Sequence, residues 1–519
     1  MNRYFNRFPV LEKIVRHYSL FLIAFSLIVL FFFLYSNRRF YHDDAYITLR
    51  YADNLIHGHG IVWNTGEFVQ VYTNFFYLLL ISLFGFFGFD LHLASRIVPV
   101  AAFCLMAGFL SMFPVYLEKP RPPHPLYLFP LLIVLTSAPL AIWMLGGLEG
   151  MVLCFLTLTG VLTFIVAVEK EYSLLFSLSS ILLSLVTLTR PDAGIFLFVS
   201  FLFVLCSGSK NWFHRMIAFL SPCLLIMIPY LLWARFYYGD YLPNTFYSKV
   251  SGLSSVRILS GFMYLKNYLL LPPYLNLFIC LSFVYCLIKR KISASILYVS
   301  SLLVVYTCFI IFVGGDHMAG FRLLLPTIPL AACLLYFIFT KIISPHNSYA
   351  IVAIYCTFLV LSVSQIFYDP LKALPEDPAS RVGTIVGKYI ASHWPKNSLI
   401  ALNTAGSTPY YASDNMYIDM LGLNDRHIAQ RKIESYVVPW QYVPGHAKGD
   451  GKYVLSRKPD YIIIGPAEGT SFDHPWFLSD WEISLDSNFQ NTYQIHQVFI
   501  NSDTYTDRLL FTYYQRVQS

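Results

Sequence analysis

The chain has 519 residues, of which 56% are hydrophobic and only 13% are charged, and its formal net charge is +7 at pH 7. Soluble globular proteins carry about 25% charged residues, so the composition excludes an ordinary soluble enzyme. The basic residues lie in short loops between apolar segments, where they set the orientation in a bilayer and give no support to nucleic-acid binding.

Apolar segments recur through the first 368 residues, and about 20 such residues cross a hydrocarbon core of about 30 Å. The first is too long for the apolar region of a signal peptide, so we expect a retained anchor. The pattern predicts an all-α polytopic membrane domain over residues 1–368. Its spans, about 11, are expected near 18–36, 74–89, 93–117, 150–168, 173–189, 193–206, 215–235, 266–288, 293–313, 323–341 and 349–367.

The segment 127–146 is also apolar but contains Pro130 and Pro139 and ends in two glycines. Counting it as a span would place a polar loop on the wrong side of the membrane. We therefore predict that it is re-entrant or otherwise incomplete, because irregular backbone at membrane depth is tolerated where protein surrounds it. This choice makes residues 118–124 external, against their two basic residues.

The nine cysteines all lie inside apolar segments and indicate neither a disulfide framework nor a CxxC metal site. Lysine and arginine cluster before the first span, near 210–215 and at 289–291, which the positive-inside rule assigns to the cytoplasm. The N-terminus is then cytoplasmic, and the loop that follows the first span is external.

Residues 369–519 are polar, are punctuated by proline and contain no spanning run. Strand-like segments at 398–403 and 460–465 alternate with turn and helix signals, which is typical of an α/β domain. About 150 residues is an ordinary size for one domain. We predict a soluble α/β domain on the external, periplasmic side.

Five polar clusters fall on the external side in this topology. They contain Asp43, Asp44 and Arg50; GGLEG with Glu149; RPDAG with Arg190 and Asp192; GDYLPNTFYSK with Lys249; and GGDHMAGFR with Asp316, His317 and Arg322. Ionisable residues in membrane segments are costly and mark functional sites. The clusters therefore favour a shared cavity, with ordinary polar loops as the alternative.

The stretch DDAYITLRYADNLIHGHG opens on two aspartates directly after the first span. The residues from Asp43 to about His57 favour a helix that the following glycines end, and Asp43, Ile47, Arg50 and Asn54 share one face of it. One aspartate would serve as a helix cap. A pair at a membrane boundary can also raise one another's pKa or hold a cation, as suits a general base.

These motifs resemble the GT-C superfamily of membrane glycosyltransferases, which use polyprenyl-phosphate sugars, and in particular its bacterial arabinofuranosyltransferase branch. The matching text includes DDAYITLRYADNLIHGHGIVWNTGEFVQVYTNF (43–75), PNTFYSK, GGDHMAGFRLLLPTIP and NTAGSTPYYASDNMYIDMLGLNDRHIA. It runs through most of the chain. One departure is RPDA, where the family pattern has RPDG.

The resemblance implies an inverting transfer from a polyprenyl-phosphate sugar to a cell-envelope glycan or lipid acceptor, at the outer face of a bacterial plasma (inner) membrane. It implies Asp43 as the base that deprotonates the acceptor hydroxyl, with Asp44 supporting it or binding the acceptor.

The leaving phosphate is negatively charged and needs positively charged partners. Arginine suits this role because its guanidinium can bind phosphate through two hydrogen bonds. The candidates are Arg322 and His317, with Arg50, Arg190 and Lys249 as weaker ones; Glu149, Asp192 and Asp316 would line the cavity. No cofactor is implied, although Asp43, Asp44, Asp316 and His317 could hold a divalent metal.

Four tryptophans in the C-terminal region (Trp394, Trp440, Trp476 and Trp481) suit sugar stacking or a small core equally well. We expect this domain to cover the cavity and to help select the acceptor. A transporter or flippase is the rival from another class, but it would carry ionisable residues within spans and paired broken helices. A polymerase or ligase for lipid-linked saccharides is a second rival.

Overall fold

The structure is a computed structural model that describes residues 9–117, 124–206, 211–249, 254–271, 274–368, 371, 376–443, 445–501 and 508–517. Up to residue 368 the described chain is helical. The α-helices are Pro9–Ser36, Asp43–Ile56, Phe75–Phe86, Leu91–Leu117, Phe129–Leu135, Ala138–Leu145, Gly150–Lys170, Ser173–Thr189, Gly194–Leu205, Trp212–Tyr238, Asn244–Lys249, Ser254–Leu269, Leu275–Ile288, Ala294–Val313, Thr327–Ile342 and Ser348–Ser364.

Within the described ranges, 6 helices are long and apolar enough to cross a membrane, and shorter apolar helices accompany them. Their positions match the apolar segments found in the sequence, because length and hydropathy are local properties of the chain. This confirms the polytopic helical fold. One difference is that the predicted span at 266–288 is divided between Ser254–Leu269 and Leu275–Ile288.

The Phe75–Phe86 helix does not cross the helical layer. Tyr77, in its first turn, donates a hydrogen bond to the carbonyl of Ser95 (3.1 Å), near the start of the following helix. The Tyr41 and Ser95 hydroxyls also lie 2.7 Å apart. The last turn of this 12-residue helix lies against Leu91, because a Cβ at Gly85 would meet the Leu91 side chain. Both ends therefore contact the start of the following helix, and the helix turns back on the side where it began, which corrects the predicted span at 74–89.

The segment 127–146 is interrupted, as predicted, into two buried helices separated at Thr136–Ser137. Its ends nevertheless lie at opposite faces. His124 contacts the carbonyl of Ile343 (3.2 Å) at the end of the Thr327–Ile342 helix, whereas the Gly146 carbonyl accepts from the His42 N–H (3.2 Å). The segment therefore crosses the layer, which corrects the re-entrant prediction.

These two corrections cancel in the count of crossings. Residues 118–123 lie outside the described residues. His124, which follows them, lies at the face opposite Asp43. The topology therefore no longer requires basic residues of 118–124 on the external side, against the positive-inside rule.

The C-terminal region folds around a five-stranded sheet in the order β2-β1-β3-β5-β4. The strands are β1 (Leu399–Leu402), β2 (Met416–Asp419), β3 (Tyr461–Ile462), β4 (Tyr493–Ile500) and β5 (Leu509–Arg516). The first three pair in parallel and the last two are antiparallel. The helices are Pro378–His393, Ser407–Tyr411, Arg426–Gln430, Gly451–Ser456, Leu478–Ser484 and Phe489–Thr492. The α/β prediction and both predicted strands are confirmed.

The C-terminal domain shares a hydrophobic core with the loop that follows the first span. Ile47 and Tyr51 of the Asp43–Ile56 helix pack in one cluster with Val386 and Ile400. Edge strand β2 is also paired, because the Asn64 side chain exchanges two hydrogen bonds (2.7 and 3.2 Å) with the backbone of Tyr417. These contacts hold the carboxyl ends of the parallel strands against the membrane domain.

Candidate active site beneath the C-terminal domain

The Asp43–Ile56 helix begins at the aspartate pair, as predicted, and ends just before Gly58. Its N-cap is His42, whose Nδ1 accepts a hydrogen bond from the Asp44 N–H at 3.2 Å. Neither aspartate is therefore the cap, and the capping alternative does not explain the pair.

Asp43 is buried against the turn that follows β1. Its carboxylate accepts hydrogen bonds from the Gly406 N–H (3.1 Å), the Ser407 N–H (2.8 Å) and the Ser407 hydroxyl (2.7 Å). Its own N–H donates to the Asp377 carboxylate at 2.8 Å. Asp43 thus joins the first loop to the C-terminal domain.

Burial and the neighbouring Asp377 carboxylate raise the pKa of Asp43 to about 6 from an ordinary 3.8, although the hydrogen bonds from Ser407 lower it. Desolvation and a like charge both disfavour an ionised carboxyl group. Asp43 is therefore a weaker acid than its neighbour, and its oxygens are occupied by protein donors.

Arg50 lies on the same face of this helix and is also turned toward the C-terminal domain. Its guanidinium donates to the carbonyls of Trp63 (2.7 Å), Pro409 and Asn415 (3.0 Å). The helix face predicted to carry Asp43 and Arg50 is thus confirmed, but this face packs against the C-terminal domain and does not line a cavity. With its donors satisfied by backbone carbonyls, Arg50 does not fit the donor-phosphate role that the resemblance implied.

Asp44 has different surroundings. Although burial favours the neutral acid, the basic side chains of His42, Lys249, Arg322 and His317 lower the pKa of Asp44 below its ordinary value. Among the described residues, no group donates a hydrogen bond to the Asp44 carboxylate. It is therefore ionised at neutral pH and faces the positive charges of Lys249 and Arg322.

Arg322 is fixed by an unusual turn. Gly320 and Phe321 both have positive φ (71° and 54°), a conformation that costs energy at Phe321 and is characteristic of functional sites. Arg322 binds the Asp316 carboxylate (3.0 Å) and lies over the Trp143 ring (5.7 Å). Burial alone would raise the pKa of Asp316, but Arg322 lowers it well below its usual range.

Arg190 is held by carboxylates, as the ion-pair alternative predicts. It pairs with Glu149 (2.9 Å) and with Asp192 (3.1 Å). Glu149 also accepts from Asn74 (3.1 Å), and the Tyr306 hydroxyl donates to Asp192 (3.4 Å). This partly buried network occupies the Arg190 guanidinium, which therefore supports the site through its carboxylate partners.

Lys249 and His317 lie where the C-terminal domain covers the site. Gly445 packs against the Lys249 stem, and the His446 ring is 5.0 Å from the His317 ring. His317 is also 3.5 Å from Asp316. The side chain of Lys249 is exposed, so its charge is available to a ligand.

The sequence motifs thus converge in one place. The residues that lie close together here are Asp44, Lys249, Asp316, His317 and Arg322, with Glu149, Arg190 and Asp192 beside them. Sequence reasoning missed His42, Asn74, Trp143 and His446. Of these only His42, directly before the aspartate pair, carried a local signal.

The candidate metal ligands do not form a common site. In the part of the chain that the structure describes, no three His, Cys, Asp or Glu side chains are arranged to hold a metal ion. Asp43 is bound by Gly406 and Ser407, and Asp316 by Arg322. The binding of a divalent ion remains a prediction, and the arrangement of these residues does not support it.

The chain is similar to a sequence family and to solved structures. Residues 376–514 match a domain of unknown function, DUF8728, and no curated protein matches the chain. The chain is similar to the crystal structure of ArnT from Cupriavidus metallidurans bound to undecaprenyl phosphate. They are 13% identical, the alignment covers 96% of this chain and 98% of ArnT, and the TM-score is 0.57. The GT-C-like fold is thereby confirmed.

Proposed function

We propose that this protein is an inverting membrane glycosyltransferase, which moves a sugar from a polyprenyl-phosphate donor to an acceptor hydroxyl. The observation that carries the proposal is the convergence of four basic side chains on Asp44, a carboxylate free of protein hydrogen-bond donors within the described residues. The fold of ArnT, which binds undecaprenyl phosphate, supports a lipid-phosphate donor.

In this proposal Asp44 is the general base, and the base role that the family resemblance implied for Asp43 passes to its neighbour. The Asp44 carboxylate takes the proton of the acceptor hydroxyl, whose oxygen attacks the anomeric carbon. The bond from that carbon to the phosphate oxygen breaks, and polyprenyl phosphate leaves with the electron pair. Neighbouring carboxylates can take different roles when their environments push their pKa values apart.

Arg322 and Lys249 would stabilise the charge that develops on the leaving phosphate. Arg322 is pre-oriented by Asp316 and Trp143, so it needs no reorganisation as charge develops. Lys249 is exposed beside Gly445. His317, which burial keeps at a lowered pKa, would donate a neutral hydrogen bond.

The donor sugar and the orientation belong to the same proposal. The arabinofuranosyl branch is suggested by motifs such as DDAYITLRYADNL and PNTFYSK. The lysine and arginine distribution favours a cytoplasmic N-terminus and a periplasmic C-terminal domain in a bacterial inner membrane. The acceptor would then be a cell-envelope glycan or lipid.

The test is to incubate membranes that contain the protein with radiolabelled polyprenyl-monophosphate sugar and to separate the products by thin-layer chromatography. A transferase moves the label to a new glycan or lipid and releases polyprenyl phosphate. Label that crosses the membrane while still on the lipid would indicate a flippase. Label used only from lipid-diphosphate glycans would indicate a polymerase or ligase.

A further inference from the structure

We propose that Trp440 and Trp476 form a saccharide-binding subsite on the C-terminal domain, which holds a sugar unit of the acceptor. The two rings are parallel within 9°, with centroids 5.7 Å apart. Each is 37% exposed. Among the other tryptophans, Trp394 is buried under a stacked Tyr461 ring (3.8 Å) and serves the core.

The pair, called here the tryptophan platform, is connected to the candidate active site. Trp440 lies 5.7 Å from the His446 ring, and His446 lies 5.0 Å from His317. His317 belongs to the group of basic residues around Asp44. The platform thus lies on the side of the C-terminal domain that covers the site.

Both platform loops are fixed by buried polar residues. Asp480 accepts hydrogen bonds from the backbone N–H groups of Trp476 (3.3 Å) and Phe477 (3.1 Å). Gln441 accepts from the N–H groups of Val437 (2.7 Å) and Val438 (3.1 Å) and donates to Ala447 (3.2 Å). Exposed aromatic rings on fixed backbone lose little entropy when a ligand binds.

A sugar is the occupant that fits this position. Its C–H bonds carry partial positive charge and meet the negative face of an aromatic ring, while its hydroxyls remain free for polar neighbours such as His446. A polyprenyl chain needs continuous apolar surface at membrane depth, whereas the platform belongs to the sheet domain. The assignment to an acceptor rests on the proposed function.

The experiment uses the full chain in detergent and two separate probes. One probe is the saccharide fraction released from the envelope of the source organism, immobilised on a biosensor; the other is undecaprenyl phosphate in solution. We expect Trp440→Ala and Trp476→Ala each to weaken saccharide binding about 10-fold and to leave undecaprenyl phosphate binding unchanged. Trp476→Tyr should restore most of the affinity, because the aromatic face is kept.

Trp212→Ala is the matched control, since Trp212 is 45% exposed at the start of the Trp212–Tyr238 helix, whose other end contacts the C-terminal domain. This variant should bind saccharide like the wild type. No saccharide binding by the wild type, or equal binding by both platform variants, would overturn the subsite. A parallel loss of undecaprenyl phosphate binding would assign the platform to the donor lipid. Saccharide binding that depends on the platform, without sugar transfer in the membrane assay, would sustain the subsite and overturn the transferase.

Discussion

Asp43 and Asp44 are adjacent in the chain, yet successive residues of a helix point about 100° apart. Asp43 therefore meets the Gly406–Ser407 turn, while Asp44 meets the basic residues around Arg322. The sequence predicts that this pair is the centre of the site. It cannot assign the roles, because the residues that distinguish the two aspartates lie hundreds of positions further along the chain.

The raised pKa of Asp43 makes the domain contact dependent on pH. Its folded-state pKa of about 6 lies above the ordinary 3.8, so the neutral acid is favoured in the folded protein. Its contribution to stability is then complete below about pH 4 and is lost as the pH rises through 6. Hydrogen exchange at Gly406 and Ser407, relative to Asp43→Asn, should speed up between pH 5 and 7.5.

Asp43→Asn is the reference because it removes the titration and leaves intrinsic exchange unchanged. Equal pH profiles for the wild type and this variant would show that Asp43 does not titrate in this range.

Arg322→Lys tests whether the planar guanidinium of Arg322 binds the donor phosphate. Lysine keeps the charge but loses the fork that binds Asp316 and the contact with Trp143, and such a change is not conservative. We expect turnover to fall at least about 10-fold. Arg235→Lys, at an exposed position, should retain activity. Equal turnover for the wild type, Arg322→Lys and Arg235→Lys would show that Arg322 has no role in the mechanism.

Among single elements, the turn after β1 is one of the features that couple the two domains. A Cβ at Gly406 would overlap the backbone oxygen and the carboxylate of Asp43. Backbone atoms cannot move aside as the end of a flexible side chain can. Gly406→Ala should therefore separate the turn after β1 from the Asp43–Ile56 helix. We expect faster proteolysis of the C-terminal domain in the membrane-embedded protein.

Gly108→Ala is the matched control, since its Cβ would meet nothing within 4 Å. Protease resistance of Gly406→Ala equal to that of Gly108→Ala would show that the close approach of Asp43 does not hold the domain.

At the scale of the whole molecule, the sequence located the apolar helices and the sheet domain but misplaced two crossings. Hydropathy and length are readable in a window of about 20 residues. Whether such a helix crosses or turns back depends on tertiary contacts, such as the bond from Tyr77 to Ser95. The interruption at Thr136–Ser137 was visible through its prolines, yet a broken helix can still cross when protein surrounds it.

The revised crossings predict which loops share a side. A reporter that is active only when exported, inserted after residue 90 or after residue 148, should give the same result at both positions. Inserted between Leu117 and His124, it should give the opposite result. If the reporter instead groups 117–124 with 148 and apart from 90, the Phe75–Phe86 helix crosses and the segment 127–146 does not.

Turnover of the purified Asp44→Asn and Asp43→Asn proteins with a radiolabelled polyprenyl-phosphate sugar tests most directly whether Asp44 is the base and Asp43 the structural partner. Asn keeps the size of the side chain and removes its basicity. We predict that Asp44→Asn loses about 10²-fold or more in turnover while it still binds the donor. Asp43→Asn should retain turnover within about 10-fold of the wild type, because this substitution weakens the hydrogen bonds that join the two domains and leaves the base in place. Near-native turnover by Asp44→Asn, or an inactive Asp43→Asn with its domains still in contact, would contradict this account.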